Sequence, residues 1–117
     1  MSHASLDQDL LKELVSRIVE AVQPEKVILF GSWARGDARD DSDIDLFLEV
    51  EPGRDPAEVI RRAYEAIRPL RPRLQRGVDL VVHDRAFVER YGDLVGTIVR
   101  PVLREGTTLY VRGPADP

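Results

Sequence analysis

Residues 26–50 read KVILFGSWARGDARDDSDIDLFLEV, and this stretch decides how the chain folds. Lys26-Val27-Ile28-Leu29-Phe30 is a short, β-rich apolar run that stops at Gly31. That is the pattern of a buried strand. A polar stretch, Trp33 to Ser42, follows Ser32. Asp43 to Val50 then reads as a second strand, whose early part alternates acid with apolar residue at period two. Pro52-Gly53 ends it.

Upstream, Leu6, Leu10, Leu14, Ile18 and Val22 recur at helical spacing, with Leu11, Val15 and Val19 beside them. Ser5 and Gln8 form a capping-box pattern at the start of this helix. Pro24 stops it, because a proline disfavours helical conformation in the residue before it. Downstream, Asp55-Pro56-Ala57-Glu58 opens a second long helix, with Asp as N-cap and Pro in the first helical position. Its apolar stripe is Val59, Ile60, Ala63, Tyr64 and Ile67, and Pro69 and Pro72 are expected to end it. Val78 to Val82 is a third strand. From Asp84 a helical pattern runs through Phe87, Val88, Tyr91, Leu94, Val95, Ile98, Val99, Val102 and Leu103. Gly92, Gly96 and Pro101 interrupt it, so a break or kink is expected. Gly106 is a plausible C-cap, and Thr107 to Val111 a short edge strand. The order predicts an α/β (α+β) domain over residues 1–112, a small mixed sheet covered by helices, followed by a loose tail over 113–117.

Composition narrows the chemistry. The chain has 117 residues, 43% hydrophobic and 32% charged, a globular balance. Its net charge of −4 argues against direct nucleic-acid binding, which needs an excess of Lys and Arg. No apolar stretch approaches the ~18 residues of a spanning helix, and the first residues carry acids where a secretion signal carries cations. The expectation is a cytoplasmic protein without a membrane partner. Cysteine is absent, and only His3 and His83 are available as imidazoles. Thiol chemistry is excluded and a multi-histidine zinc site disfavoured. Carboxylates and hydroxyls must carry any reaction.

On a strand, residues i and i+2 point to one face, so Asp43 and Asp45 present carboxylates about 7 Å apart at Cα. Such a pair suits one divalent ion, or two lying ~3.5–4 Å apart. Mg²⁺ prefers oxygen ligands and completes its shell with water and phosphate. Gly31 at the strand end lets backbone approach a phosphate closely, and Ser32 adds a hydroxyl donor. Asp79 sits in the apolar third strand. Its carboxylate either faces solvent and pairs with an arginine such as Arg73 or Arg76, or serves as a third metal ligand and proton acceptor.

Gly31-Ser32, ten residues, then Asp43-Ile44-Asp45, with Ala34-Arg35-Gly36 inside and Ser42 just ahead of the acids, resembles the DNA polymerase β-like nucleotidyltransferase superfamily. More narrowly, it is similar to the minimal nucleotidyltransferases that pair with HEPN-domain ribonuclease toxins in prokaryotic toxin–antitoxin modules. The resemblance covers nearly the whole chain. It implies that Asp43, Asp45 and Asp79 hold two Mg²⁺ ions and that Gly31 and Ser32 form the triphosphate-binding turn. It further implies transfer of AMP from ATP to a tyrosine of a HEPN-family toxin, which silences the toxin. The alternatives are an antitoxin that neutralises by binding alone, and transfer to a small hydroxylated molecule. Little chain remains to enclose an acceptor, which favours one that arrives on another protein.

Other residues carry open readings. Arg35 either reaches the triphosphate or pins its loop to Asp43 or Asp45. Trp33 packs under the Gly-Ser turn or stacks on a base, and Ser42 caps the turn into the strand. Residues 54–76 hold seven arginines against three acids, a solvated face or a docking surface for an acidic partner. His83 reads as a strand-end residue. Phe87 and Tyr91 read as core first and as a partner or dimer surface second, which leaves room for an oligomer.

Overall fold

The computed structural model describes residues 5–94 and 96–113. His3, Val95 and most of the anticipated tail, 114–117, lie outside the described residues.

The first helix, α1, spans Gln8–Val22. Its cap is Asp7 and not Ser5: the Asp7 carboxylate accepts from the amides of Asp9 and Leu10 at 2.9 and 3.2 Å. Gln8, assigned to a capping box, instead donates its side-chain amide to the Leu6 carbonyl. A carboxylate at the cap satisfies two orphan donors and opposes the positive helix end, which a hydroxyl two residues earlier cannot do. Gln23 turns left-handed (φ 49°) and Pro24 follows.

Strand β1 (Lys26–Phe30) leads through Gly31 into α2 (Ser32–Arg35), a single turn. Strand β2 starts at Ile44 and runs to Val50, so Asp43 stands just outside it. Helix α3 (Pro56–Ile67) is capped by Asp55 as expected. Pro69 and Pro72 do not return the chain to coil. Each sits in the first turn of a new short helical segment, a 3₁₀ turn at Arg68–Leu70 and α4 at Arg71–Leu74. A missing N–H costs nothing there. Strand β3 is Val78–Asp84. The long C-terminal helical pattern divides into α5 (Arg85–Tyr91), capped by Asp84, and α6 (Val99–Glu105). Pro101 falls in the first turn of α6, where it is tolerated, so the break lies between Gly92 and Ile98. Gly106 ends α6, and β4 is Thr107–Val111.

The four strands form one mixed sheet in the order β3-β2-β1-β4. β1 pairs antiparallel with β2 and β4, and β2 pairs parallel with β3. One face carries Val27, Leu29, Ile44, Leu46, Leu48, Val50, Leu80 and Val82, buried against α1 and α3. Each such side chain contributes roughly 1.5–3 kcal/mol of burial. The other face consists of three cross-strand rows: Phe30–Asp45–Asp79, Ile28–Phe47–Val81, and Lys26–Glu49–His83. The middle row is covered by Phe87 and Val88 of α5 and Val99 and Val102 of α6. Asp79, at the first row's end, stays open to solvent.

The third row is electrostatically uneasy. Glu49, a carboxylate, is only 3% exposed. Burial pushes its carboxyl above the usual range, opposed first by Lys26 and then reinforced by Glu25. His83 stacks on Phe87 with ring centroids 3.8 Å apart, and burial lowers its pKa. A carboxyl whose folded pKa is raised adds stability below its unfolded value, and that stability is lost as pH rises through the folded value. Glu49→Gln is therefore expected to stabilise the protein by about 1 kcal/mol near neutrality, because the amide carries no charge to desolvate. It should also flatten the decline with rising pH. Urea unfolding of both proteins from the ordinary carboxyl range up to neutrality measures this; equal slopes across that range would refute it.

Candidate active site

Gly31 adopts φ 75°, ψ −154°, a region open essentially only to glycine. A Cβ there would lie 2.2 Å from Asp45 Oδ2. The turn and the acid therefore occupy adjoining space. The amides of Ala34 and Arg35 donate back to the Gly31 carbonyl at 3.1 and 3.0 Å, which closes the turn. The first amides of α2 have no intrahelical partner. The Ser32 hydroxyl makes no hydrogen bond among the described residues, so it is free to donate.

Asp45 faces Asp79 across the parallel β2–β3 register. Burial pushes the Asp45 carboxyl above its ordinary range. The Asp79 charge and hydrogen bond add to this, then the Asp43 charge, while Arg35 pulls it back. Asp43 is turned toward β3, and its Oδ1 accepts from the Gly77 amide at 3.2 Å. Among the described residues, no three carboxylate or imidazole groups already surround one point. The donor set nonetheless fits a hard divalent cation: Asp45 faces Asp79 across neighbouring strands, the repulsion between them is of the kind a cation relieves, and Asp43 precedes β2 beside them.

The remaining residues sort clearly. Arg35 is exposed and pairs with Asp37 at 3.2 Å and Glu105 at 3.9 Å, with neither Asp43 nor Asp45. Neither arginine considered for Asp79 reaches it: Arg73 pairs with Glu13, and Arg76 lies over the Trp33 ring at 5.1 Å. Trp33 packs against the core beneath the turn and donates its indole N–H to the Ser42 carbonyl at 2.9 Å. The Ser42 hydroxyl accepts from the Arg39 amide, capping the loop as read. Much of the arginine-rich segment is spoken for internally. Arg54 holds the Val22 carbonyl, and Arg61 pairs with Glu58 and Glu65. Gly77 is the residue that sequence reasoning missed. A Cβ on it would come 2.7 Å from Asp43 Oδ1, so its lack of a side chain makes room for that carboxylate.

Among the described residues, no helix is long and apolar enough to cross a membrane.

Residues 11–100 match the sequence family described as a nucleotidyltransferase domain. Solved structures share the fold. A Sulfolobus solfataricus protein described provisionally as a nucleotidyltransferase is 26% identical, with 89% of this chain and 79% of that one covered at a TM-score of 0.57. A chain from a toxin–antitoxin structure with AMP-PNP is 20% identical, with 86% and 73% covered and a TM-score of 0.57. A chain from a mutant of the toxin–antitoxin MntA-HpeT is 24% identical, with 92% and 75% covered and a TM-score of 0.56. No curated protein sequence matches.

Proposed function

This chain belongs to the nucleotidyltransferase domain family, and from that premise we propose that it transfers AMP from ATP to a hydroxyl on a partner protein, a tyrosine of a HEPN-family toxin, and so acts as an antitoxin in the cytoplasm. The observation that carries the reading is the Asp45–Asp79 pair set against the Gly31 turn, where the turn's open space adjoins a carboxylate. The fold shared with chains from two toxin–antitoxin structures, one holding an ATP analogue, supports the choice of partner class.

Asp43, Asp45 and Asp79 would hold Mg²⁺, and the ion would supply charge neutralisation for the triphosphate and the leaving pyrophosphate. The chain's own groups do the rest. The Gly31 turn admits phosphate oxygens close to the backbone, and the first amides of α2 with the Ser32 hydroxyl orient them. Arg35, freed from Asp37, is within the turn's reach as a further phosphate contact. Asp79, exposed to solvent on the edge strand, takes the proton of the acceptor hydroxyl. The new bond joins that oxygen to the α-phosphorus, and the α–β bridging bond breaks to release pyrophosphate. An acceptor must come from outside, because the acid row lies on an open edge of the sheet.

The test is incubation with α-labelled ATP, Mg²⁺ and a HEPN protein encoded beside this chain. The label should move to the partner, and a chelator should stop it. Neutralisation by the Asp79→Asn variant at equal expression, without any labelling, would favour occlusion over catalysis. Labelling of an aminoglycoside or similar small molecule in the absence of a protein would overturn the choice of acceptor.

A further inference from the structure

We propose that Arg76 and Trp33 form a clamp that positions Asp43, and that Arg76 is thus a positioning residue of this site. The inference rests on the reading of Asp43 as a metal ligand. The contacts make a closed ring. Trp33, next to the Gly31-Ser32 turn, bonds through its indole to Ser42, immediately before Asp43. Arg76 lies on the Trp33 ring. The next residue, Gly77, donates to the Asp43 carboxylate and accepts from the Ile44 amide at 2.9 Å. Asp43, which β2 does not include, is therefore gripped from both sides, and the Arg76–Trp33 contact completes the grip.

Arg76 has no ordinary reason to lie where it does. Its guanidinium makes no ion pair among the described residues, and its Nε is buried without a hydrogen bond. A buried, unmatched donor is unfavourable, and a free arginine would swing into water. The attraction between a guanidinium and the indole face is the interaction that opposes this. The clamp also joins the turn proposed to bind phosphate to the loop that carries a proposed metal ligand, so filling one should steady the other.

The experiment uses the full chain, in which Trp33 is the only tryptophan and serves as its own reporter. Two readouts are compared for the wild type, Arg76→Ala and Arg76→Lys. The first is the Gly77 amide resonance in the metal-free protein, with Asp43→Ala as the reference for a lost hydrogen bond. The second is Mg²⁺ affinity in the presence of a nonhydrolysable ATP analogue, followed by Trp33 fluorescence. Arg76→Ala should move the Gly77 resonance toward its position in Asp43→Ala and weaken Mg²⁺ binding at least about tenfold, with Arg76→Lys in between because it keeps the cation but not the planar stack. A Gly77 resonance unmoved in Arg76→Ala overturns the clamp. Equal loss of Mg²⁺ affinity in the Lys and Ala variants, accompanied by equal loss of thermal stability, also overturns it, in favour of a purely structural arginine. If the wild type binds neither Mg²⁺ nor the analogue, the functional reading fails, and the Gly77 resonance still decides the clamp.

Discussion

Asp45→Asn should reduce nucleotidyl transfer at least about 10³-fold, roughly 4 kcal/mol of transition-state stabilisation, while leaving the fold intact or firmer. The two effects have one cause. Asp45 is half-buried and faces Asp79 at the same level of the sheet, with Asp43 adding further negative charge. Like charges opposite each other on neighbouring strands destabilise by roughly 0.2–1 kcal/mol. The amide removes that repulsion, so the metal-free variant should melt at the same temperature as the wild type or higher. The amide also removes the anion most enclosed by protein, the one whose ligand strength water screens least. Steady-state transfer and calorimetric melting, measured on the same samples, check the pair of outcomes. A variant that loses activity by losing its fold would contradict the account.

Gly31→Ala should be nearly as damaging by another route. The backbone there is strained for any residue with a Cβ, at about 1–3 kcal/mol. The added methyl would also meet Asp45 Oδ2 at 2.2 Å. That oxygen terminates a side chain, so it can move aside, and the fold survives. The carboxylate is then displaced from its place opposite Asp79, and a misplacement of about 1 Å costs on the order of 10²-fold in rate. The signature is a combined one: a moderate drop in melting temperature, and transfer reduced about 10²-fold with Mg²⁺ affinity weakened alongside. Unchanged Mg²⁺ binding would show that Gly31 does not govern Asp45.

The strands and the glycine–serine turn were legible because each is written locally: alternation at period two and an apolar run ended by glycine need no tertiary knowledge. The helix starting at Asp55 was legible for the same reason. The expected pairing of Asp43 with Asp45 on one strand face is not what the sheet builds, because Asp43 stands outside β2 and Asp45 faces Asp79 instead. At α1 the Ser5–Gln8 spacing matched a capping box, yet the Asp7 carboxylate is the oxygen that reaches the free amides. Pro69 and Pro72 read as stops because proline forbids continuing a helix, yet it equally permits starting one. Gly77 was invisible. It has no left-handed backbone, and what demands it is a carboxylate 34 residues upstream. The Trp33–Arg76 contact is equally long-range, and neither residue points to the other when taken alone.

The parallel pairing of β2 with β3 has a consequence for assembly. These strands are joined through α3, so their register is set only after a long loop closes, a step slow to nucleate. The Asp45–Asp79 row cannot exist before that. An unfolded or half-built chain offers scattered carboxylates with little affinity for a divalent ion, whereas the finished sheet sets Asp45 opposite Asp79, the site proposed above. By mass action, Mg²⁺ should then favour the native state and slow its unfolding. Newly made protein would acquire this acid row only once β3 has docked beside β2.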